Sequence, residues 1–153
     1  MRLRDLQRSD RAALETILRA TNVFQDHEIA IALELIDADR SLGYGFFVAE
    51  VEGRVAGYAC YGETPCTEGT WDLYWIAVDP AQHGHGIGQK LMRAVDEAVA
   101  ARGGRQVIIE TASKPAYEPT RAFYLKYGCQ EVARVPDFYA RGDDKVIYAR
   151  KLS

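Results

Sequence analysis

Apolar positions along this chain recur in short blocks whose period switches between two and about 3.6, with Gly, Pro and Asp between the blocks. Residues 2–6 alternate weakly and lead to Ser9 and Asp10, an N-cap pair for a helix from about Arg11 to Ala20. A second helix is expected over about 27–38. Phe46–Glu50 and Val55–Tyr61, joined by Glu52, Gly53 and Arg54, read as an antiparallel hairpin turning at Gly53. Trp71–Val78, rich in aromatic and branched residues and ended by Asp79 and Pro80, suits a buried strand. Leu91, Met92, Val95, Ala98 and Val99 then recur at helical spacing, Lys90, Arg93 and Glu97 fall elsewhere, and Gly103 and Gly104 stop the pattern. Val107–Glu110 is a short apolar strand, so the strand, loop, helix, strand order over 71–111 implies one right-handed βαβ crossover with parallel strands. Pro119 opens a further helix that runs to about Tyr127 and stops at Gly128. Two closing strands, about 129–135 and 145–151, flank a loop from Pro136 to Asp144.

With 153 residues, 48% hydrophobic and 27% charged, the chain suits one globular domain over residues 1–153. No run of about 18 apolar residues is present for a membrane span, and the opening MRLRDLQRSD lacks the apolar centre of a signal peptide. A cytoplasmic protein with no membrane partner is expected. Cys60, Cys66 and Cys129 form an odd set without metal-ligand spacing, which points to reduced thiols rather than a disulfide framework or zinc site. His83 and His85 are two apart with no further His or Cys cluster nearby, so no metal is expected there. The net charge of −3 argues against a nucleic-acid partner. Residues 1–80 carry 7 basic and 14 acidic side chains, whereas residues 81–153 carry 12 and 8. That split fits a polyphosphate held by the second half and a cationic acceptor drawn to the first, and it fits unequal solvated surfaces equally well.

The strongest chemical signal is HGHGIG, His83–Gly88, after a strand and at the start of a helix. Unpaired backbone N–H groups and the helix dipole favour an anion there. Glycines at 84, 86 and 88 remove Cβ atoms that would keep a pyrophosphate from the backbone and permit positive φ. The P-loop pattern is absent, and Gln89 stands at the third glycine of a dinucleotide fingerprint read from GHGIGQ. Glu110 could mimic the ribose-binding acid of that fingerprint, but only one βαβ unit is visible. A nucleotide-dependent oxidoreductase is therefore a weaker alternative.

The strand WIAV, then DP, then HGHGIG and an amphipathic helix resemble the acetyl-CoA signature of GCN5-related N-acetyltransferases. Members of that family usually carry Arg or Gln, two variable residues, Gly, one variable residue, then Gly or Ala. His83 stands where Arg or Gln is usual, while Gly86 and Gly88 match. The resemblance is close over about 71–129 and loose before residue 40. It implies an α/β (mixed α+β) domain, with a mixed, mostly antiparallel sheet of about six to seven strands, helices on both faces and a central βαβ acetyl-CoA-binding unit. It also implies an N-acetyltransferase moving an acetyl group from acetyl-CoA, as co-substrate, to a primary amine by direct attack in a ternary complex. The acceptor is a small-molecule or peptide amine, and dimerisation, as a homodimer, is common in the family.

Residue by residue, the resemblance assigns cofactor binding to Ile76, Ala77 and Val78, whose backbone pairs with the pantetheine arm, and to His83, Gly84, His85, Gly86, Ile87, Gly88 and Gln89. The amide of Ile76 would polarise the thioester carbonyl, a contribution of about 3 kcal/mol for an aimed N–H. EPTRAFYLKYG, residues 118–128, resembles the second CoA segment and makes Tyr124 the candidate general acid; packing with Phe123 and Tyr127 on one helix face explains it as well. Asp72, four residues before Ile76 and sharing a strand face with Tyr74 and Ile76, is the candidate base, beside Glu63 and Glu68 or a water chain. Trp71 and Trp75, on one strand face, are candidates for an acceptor pocket or for the core. PDFYARGDD, residues 136–144, reads as a hairpin bordering the acceptor or as a plain polar turn. A CoA-binding sensor without turnover is the alternative from another functional class.

Overall fold

The computed structural model describes residues 1–153. Seven strands and four α-helices run in the order β1 (Arg2–Arg4), α1 (Arg11–Ala20), α2 (Asp26–Asp37), β2 (Gly45–Val51), β3 (Arg54–Glu63), β4 (Thr70–Val78), α3 (Ile87–Ala101), β5 (Gln106–Ala112), α4 (Glu118–Tyr127), β6 (Gln130–Ala140) and β7 (Asp143–Lys151). They form one sheet in the order β1-β2-β3-β4-β5-β7-β6. Every neighbouring pair is antiparallel except β4 and β5, because α3 carries the chain back across the sheet between them, as a parallel connection requires.

Two cores lie on opposite faces. Ile87, Leu91, Met92, Val95 and Val99 of α3, with Tyr124 of α4, pack on one face against Trp71, Leu73, Val107 and Ile109. Leu14, Ile17 and Leu18 of α1 and Ile29, Ala32, Leu33 and Ile36 of α2 pack on the other against Val48, Tyr58 and Ala77. Leu91 and Val99 are fully buried, and each such side chain contributes about 1.5–3 kcal/mol. No helix is long and apolar enough to cross a membrane.

Several local readings change. Asp10 does not cap α1: its carboxylate turns back to accept from the Gln7 N–H and from both terminal nitrogens of Arg4, at 2.8 Å each. The 46–61 hairpin turns on two residues, Glu52 and Gly53, with Glu52 itself at φ 52°. The span 136–144 is mostly strand, not loop. Strand β6 runs on to Ala140 through an irregular register between Val135 and Ala140, and only Arg141 and Gly142 turn. Asp137, at φ 53°, secures this end by accepting from the Gly142 N–H and donating its own N–H to Asp144.

Candidate active site

The parallel pairing of β4 with β5 runs from Thr70↔Gln106 to Leu73↔Ile109 and stops, although the strands continue to Val78 and Ala112. Strand β5 stays paired to β7 throughout, so the sheet opens as a wedge between Tyr74–Val78 and Glu110–Ala112. Backbone groups facing such a gap need partners, and an extended ligand can supply them as an added strand. A bulge accompanies the opening: Cys60 pairs with Trp75 and Tyr61 with Leu73, leaving Tyr74 as the extra residue. A bulge bends its strand and reverses the alternation of side chains beyond it. Trp71 and Leu73 accordingly lie in the α3 core with Ile76 and Val78 beyond the bulge, whereas Trp75 and Ala77 face α1 and α2.

Two cavities meet at the wedge, of about 740 and 810 Å³, and both include Phe24, Ile76 and Thr120 in their walls. They are the two ends of one cleft. One end is built on the glycine loop. Gly86 sits at φ 73°, ψ 17° as the N-cap of α3, and Gly84 at φ 87° precedes it. A Cβ at either position would meet nothing in the protein, so the left-handed backbone, not crowding, selects glycine there. The first bond across the helix start is Lys90 N–H to Gly86 O. The N–H groups of Ile87, Gly88 and Gln89 thus lack helical partners and, with the dipole, favour an anion. No carboxylate lines this end; His83 and Lys126 do.

The other end carries the opposite charge. Glu28, Asp72, Glu110 and Asp143 line it against Lys114 and His27. Phe24 packs on Trp75 at 5.3 Å and on Tyr117 at 6.2 Å between ring centroids, giving one wall of aromatic surface. Asp72 Oδ2 accepts from the Thr64 hydroxyl at 2.7 Å, and Glu28 accepts from the Tyr117 hydroxyl at 2.6 Å. Burial first, and the Glu28 bond second, push the Tyr117 phenol well up. Burial and then Asp72 push Tyr74 up to about 12. Tyr124 lines this end from α4, 5% exposed, its ring 5.7 Å from both Phe123 and Tyr148. Burial, then Cys129 and Tyr148, raise its phenol far above the ordinary value, so it remains a hydroxyl donor at neutral and alkaline pH.

The cleft brings together nine of the ten residues expected to hold the cofactor, all but His85, whose side chain is exposed outside the lining. Gly88 has a different reason from the one expected. It is not at positive φ, and a Cβ there would sit 3.2 Å from the Phe123 ring, so its glycine lets α3 and α4 approach. Asp72 and Tyr74 share a side of the sheet, but the bulge places Ile76 on the other. The same bulge separates Trp71, sealed in the core beneath Arg102, from Trp75, which lines the carboxylate-rich end of the cleft. Glu63 and Glu68 lie outside the lining. Thr21, Val23 and Phe24 after α1, Ala116 and Tyr117 before α4, and Glu28 were not readable as site residues. Only the Gln25/Glu28 capping box that starts α2 was a local signal there. No group of three or more His, Cys, Asp or Glu side chains is arranged to hold a metal ion.

Comparison with known proteins bears on this geometry. The model of the Acetyltransferase (GNAT) family matches residues 6–129. The L-methionine sulfoximine/L-methionine sulfone acetyltransferase of Salmonella typhimurium is 31% identical over 119 residues, 71% of this chain and 68% of that protein. The mycothiol acetyltransferase of Amycolatopsis mediterranei is 33% identical over 109 residues, 65% of this chain and only 36% of that relative's own length. A crystal structure of a GNAT-family protein from Desulfovibrio desulfuricans superposes with a TM-score of 0.94 at 38% identity, covering 99% of both chains.

Proposed function

Because the chain belongs to the acetyltransferase (GNAT) family, we propose that it transfers the acetyl group of acetyl-CoA to a primary amine by direct attack in a ternary complex. One observation carries this reading above the others: the wedge between β4 and β5 joins an anion-seeking glycine loop to a carboxylate-lined, aromatic pocket at Ile76. Acetyl-CoA supplies an activated acyl thioester. The amides at the start of α3 hold its pyrophosphate, with His83 and Lys126 beside them. The open edge of Ile76–Val78 takes the extended pantetheine arm as a strand would.

The Ile76 N–H faces the developing negative charge on the acyl oxygen, where one aimed donor is worth about 3 kcal/mol. The acceptor must arrive with a free lone pair, so a base removes its proton. Asp72, directly or through a water, takes that role. As the C–N bond forms and the C–S bond breaks, the Tyr124 hydroxyl gives its proton to the departing sulfur. Burial keeps this phenol protonated, so its hydroxyl is available as a donor to the sulfur at neutral and alkaline pH. No cysteine lines the cleft, and burial pushes Cys129 up to about 11 and Cys60 up to about 12, which opposes a covalent acyl-cysteine route.

Two-substrate initial rates test the reading. Lines that intersect when amine and acetyl-CoA are both varied support the ternary complex; parallel lines or a burst of thiol without amine contradict it.

A further inference from the structure

We propose that the acceptor is a small organic dication, a primary amine carrying a second cationic nitrogen and no free carboxylate. This rests on the acetyltransferase reading above. The acceptor end, at about 740 Å³, has room well beyond a single aminomethyl group, and its polar atoms sort by sign.

Asp72 pairs with Ile108 on β5, and Glu110 lies two residues further along that strand, so the two carboxylates are diagonal neighbours on one side of the sheet. Asp143 joins them from β7. Of its two oxygens, Oδ1 accepts both the Ser113 and Lys114 N–H groups at 3.1 Å, while Oδ2 has no protein partner. Asp72 accepts from Thr64 at Oδ2 and also bears on the Tyr74 hydroxyl, but no Lys or Arg pairs with it. Two separate carboxylates in the cleft therefore have no cation of the protein's own.

The protein's own ammonium groups show what such surroundings hold. Lys114 Nζ lies 3.8 Å from Glu28 and 5.2 Å from the centre of the Tyr117 ring. Lys145 Nζ lies 2.8 Å from Glu110 and 4.0 Å from the Phe138 ring centre. Each is seated between a carboxylate and an aromatic face, the arrangement that recognises organic cations. No arginine lines the cleft. Arg121, next to the lining Thr120, gives Nη1 to the Ala112 and Lys114 carbonyls, and no lining residue offers a bidentate clamp for an acceptor carboxylate. A free amino acid would bring its carboxylate among four carboxylates, with only His27 and Lys114, itself 3.8 Å from Glu28, to meet it, whereas a dication meets Asp72 with its reacting end and Asp143 with its other end.

The test compares three acceptors of equal length, 1,4-diaminobutane, butylamine and 4-aminobutyrate, by thiol release at saturating acetyl-CoA, with acetyl-CoA binding measured separately by calorimetry. The diamine should exceed butylamine in kcat/KM by about tenfold, the size of one charge-assisted hydrogen bond, and 4-aminobutyrate should fall below butylamine by a similar factor. Asp143→Asn keeps the Oδ1 acceptor that anchors Ser113 and Lys114, and should shrink the diamine-to-butylamine ratio about tenfold; a purely structural role would lower both substrates together and leave the ratio fixed. Equal use of all three, a preference for 4-aminobutyrate, or bound acetyl-CoA with none of the three consumed overturns the dication while leaving the cofactor site standing. Failure to bind acetyl-CoA would instead overturn the acetyltransferase reading on which it rests.

Discussion

Replacing Tyr124 by Phe separates its packing from its chemistry. The ring is 5% exposed and fills space between Phe123 and Tyr148 at 5.7 Å from each, and phenylalanine keeps that volume. Stability should change by less than about 1 kcal/mol, since a swap that conserves shape costs little. On the proposed mechanism, what is lost is one proton donor beside the departing sulfur. A positioned acid contributes about 10²–10⁴-fold, and a thiolate whose parent thiol has a pKa of about 8.5 leaves tolerably unaided, which places the loss at the lower end. We expect about 10²-fold in the rate of transfer, about 2.7 kcal/mol of barrier. Because burial holds the phenol far above its usual value, the deficit should be constant from neutral pH to the ordinary tyrosine range, and the wild-type rate should not fall there through loss of this proton. Single-turnover mixing of the acetyl-CoA complex with amine, followed by thiol release, reads the step itself, and calorimetry checks that the acetyl-CoA Kd stays within about twofold. An unchanged rate, or a loss residing wholly in Kd, would refute the acid role.

Other outcomes follow from neighbouring features. Asp72→Asn should lower kcat by about 10²-fold while acetyl-CoA affinity holds, by steady-state kinetics beside calorimetry. Gly86→Ala places a Cβ in open space at φ 73°, so unfolding should show a loss of about 1–2 kcal/mol from the left-handed backbone alone, while acetyl-CoA binding should weaken by well over that amount because the Cβ enters the anion cradle. Asp10→Ala leaves the part-buried Arg4 without its main partner, and urea unfolding at pH 7 should lose about 3 kcal/mol. The Arg4 bond holds the Asp10 carboxyl below its unfolded value. Its contribution is therefore present above the unfolded pKa of about 3.9 and lost as pH falls through the lower folded value, so wild type and Asp10→Asn should converge in strong acid.

What the sequence revealed follows from the range of the interactions. Helix α3 and the glycine loop are dictated locally, by apolar spacing through Leu91, Val95 and Val99 and by backbone angles at Gly84 and Gly86, and both were legible. The wedge was not, because it depends on where β5 stops pairing with β4, and that depends on a one-residue bulge at Tyr74 set by partners on β3. Strict alternation through Tyr74 is what misplaced Ile76 relative to Asp72 and Trp75 relative to Trp71. The carboxylate-rich end of the cleft was legible only in fragments, since Phe24, Glu28 and Tyr117 come from segments distant in sequence and meet only when α1 and α2 pack on the sheet. Asp10 looked like a cap because capping is the local use of an Asp before a helix; Arg4 draws it elsewhere.

The most direct test of the account is a calorimetric titration with acetyl-CoA, run beside NADH and repeated with Gly86→Glu, whose carboxylate would project into the loop where the anion should sit. The account predicts micromolar binding of acetyl-CoA by the wild type, none by the variant, and none of NADH by either. Binding of NADH alone, or acetyl-CoA binding that the variant retains, would contradict it and detach the glycine loop from the cofactor.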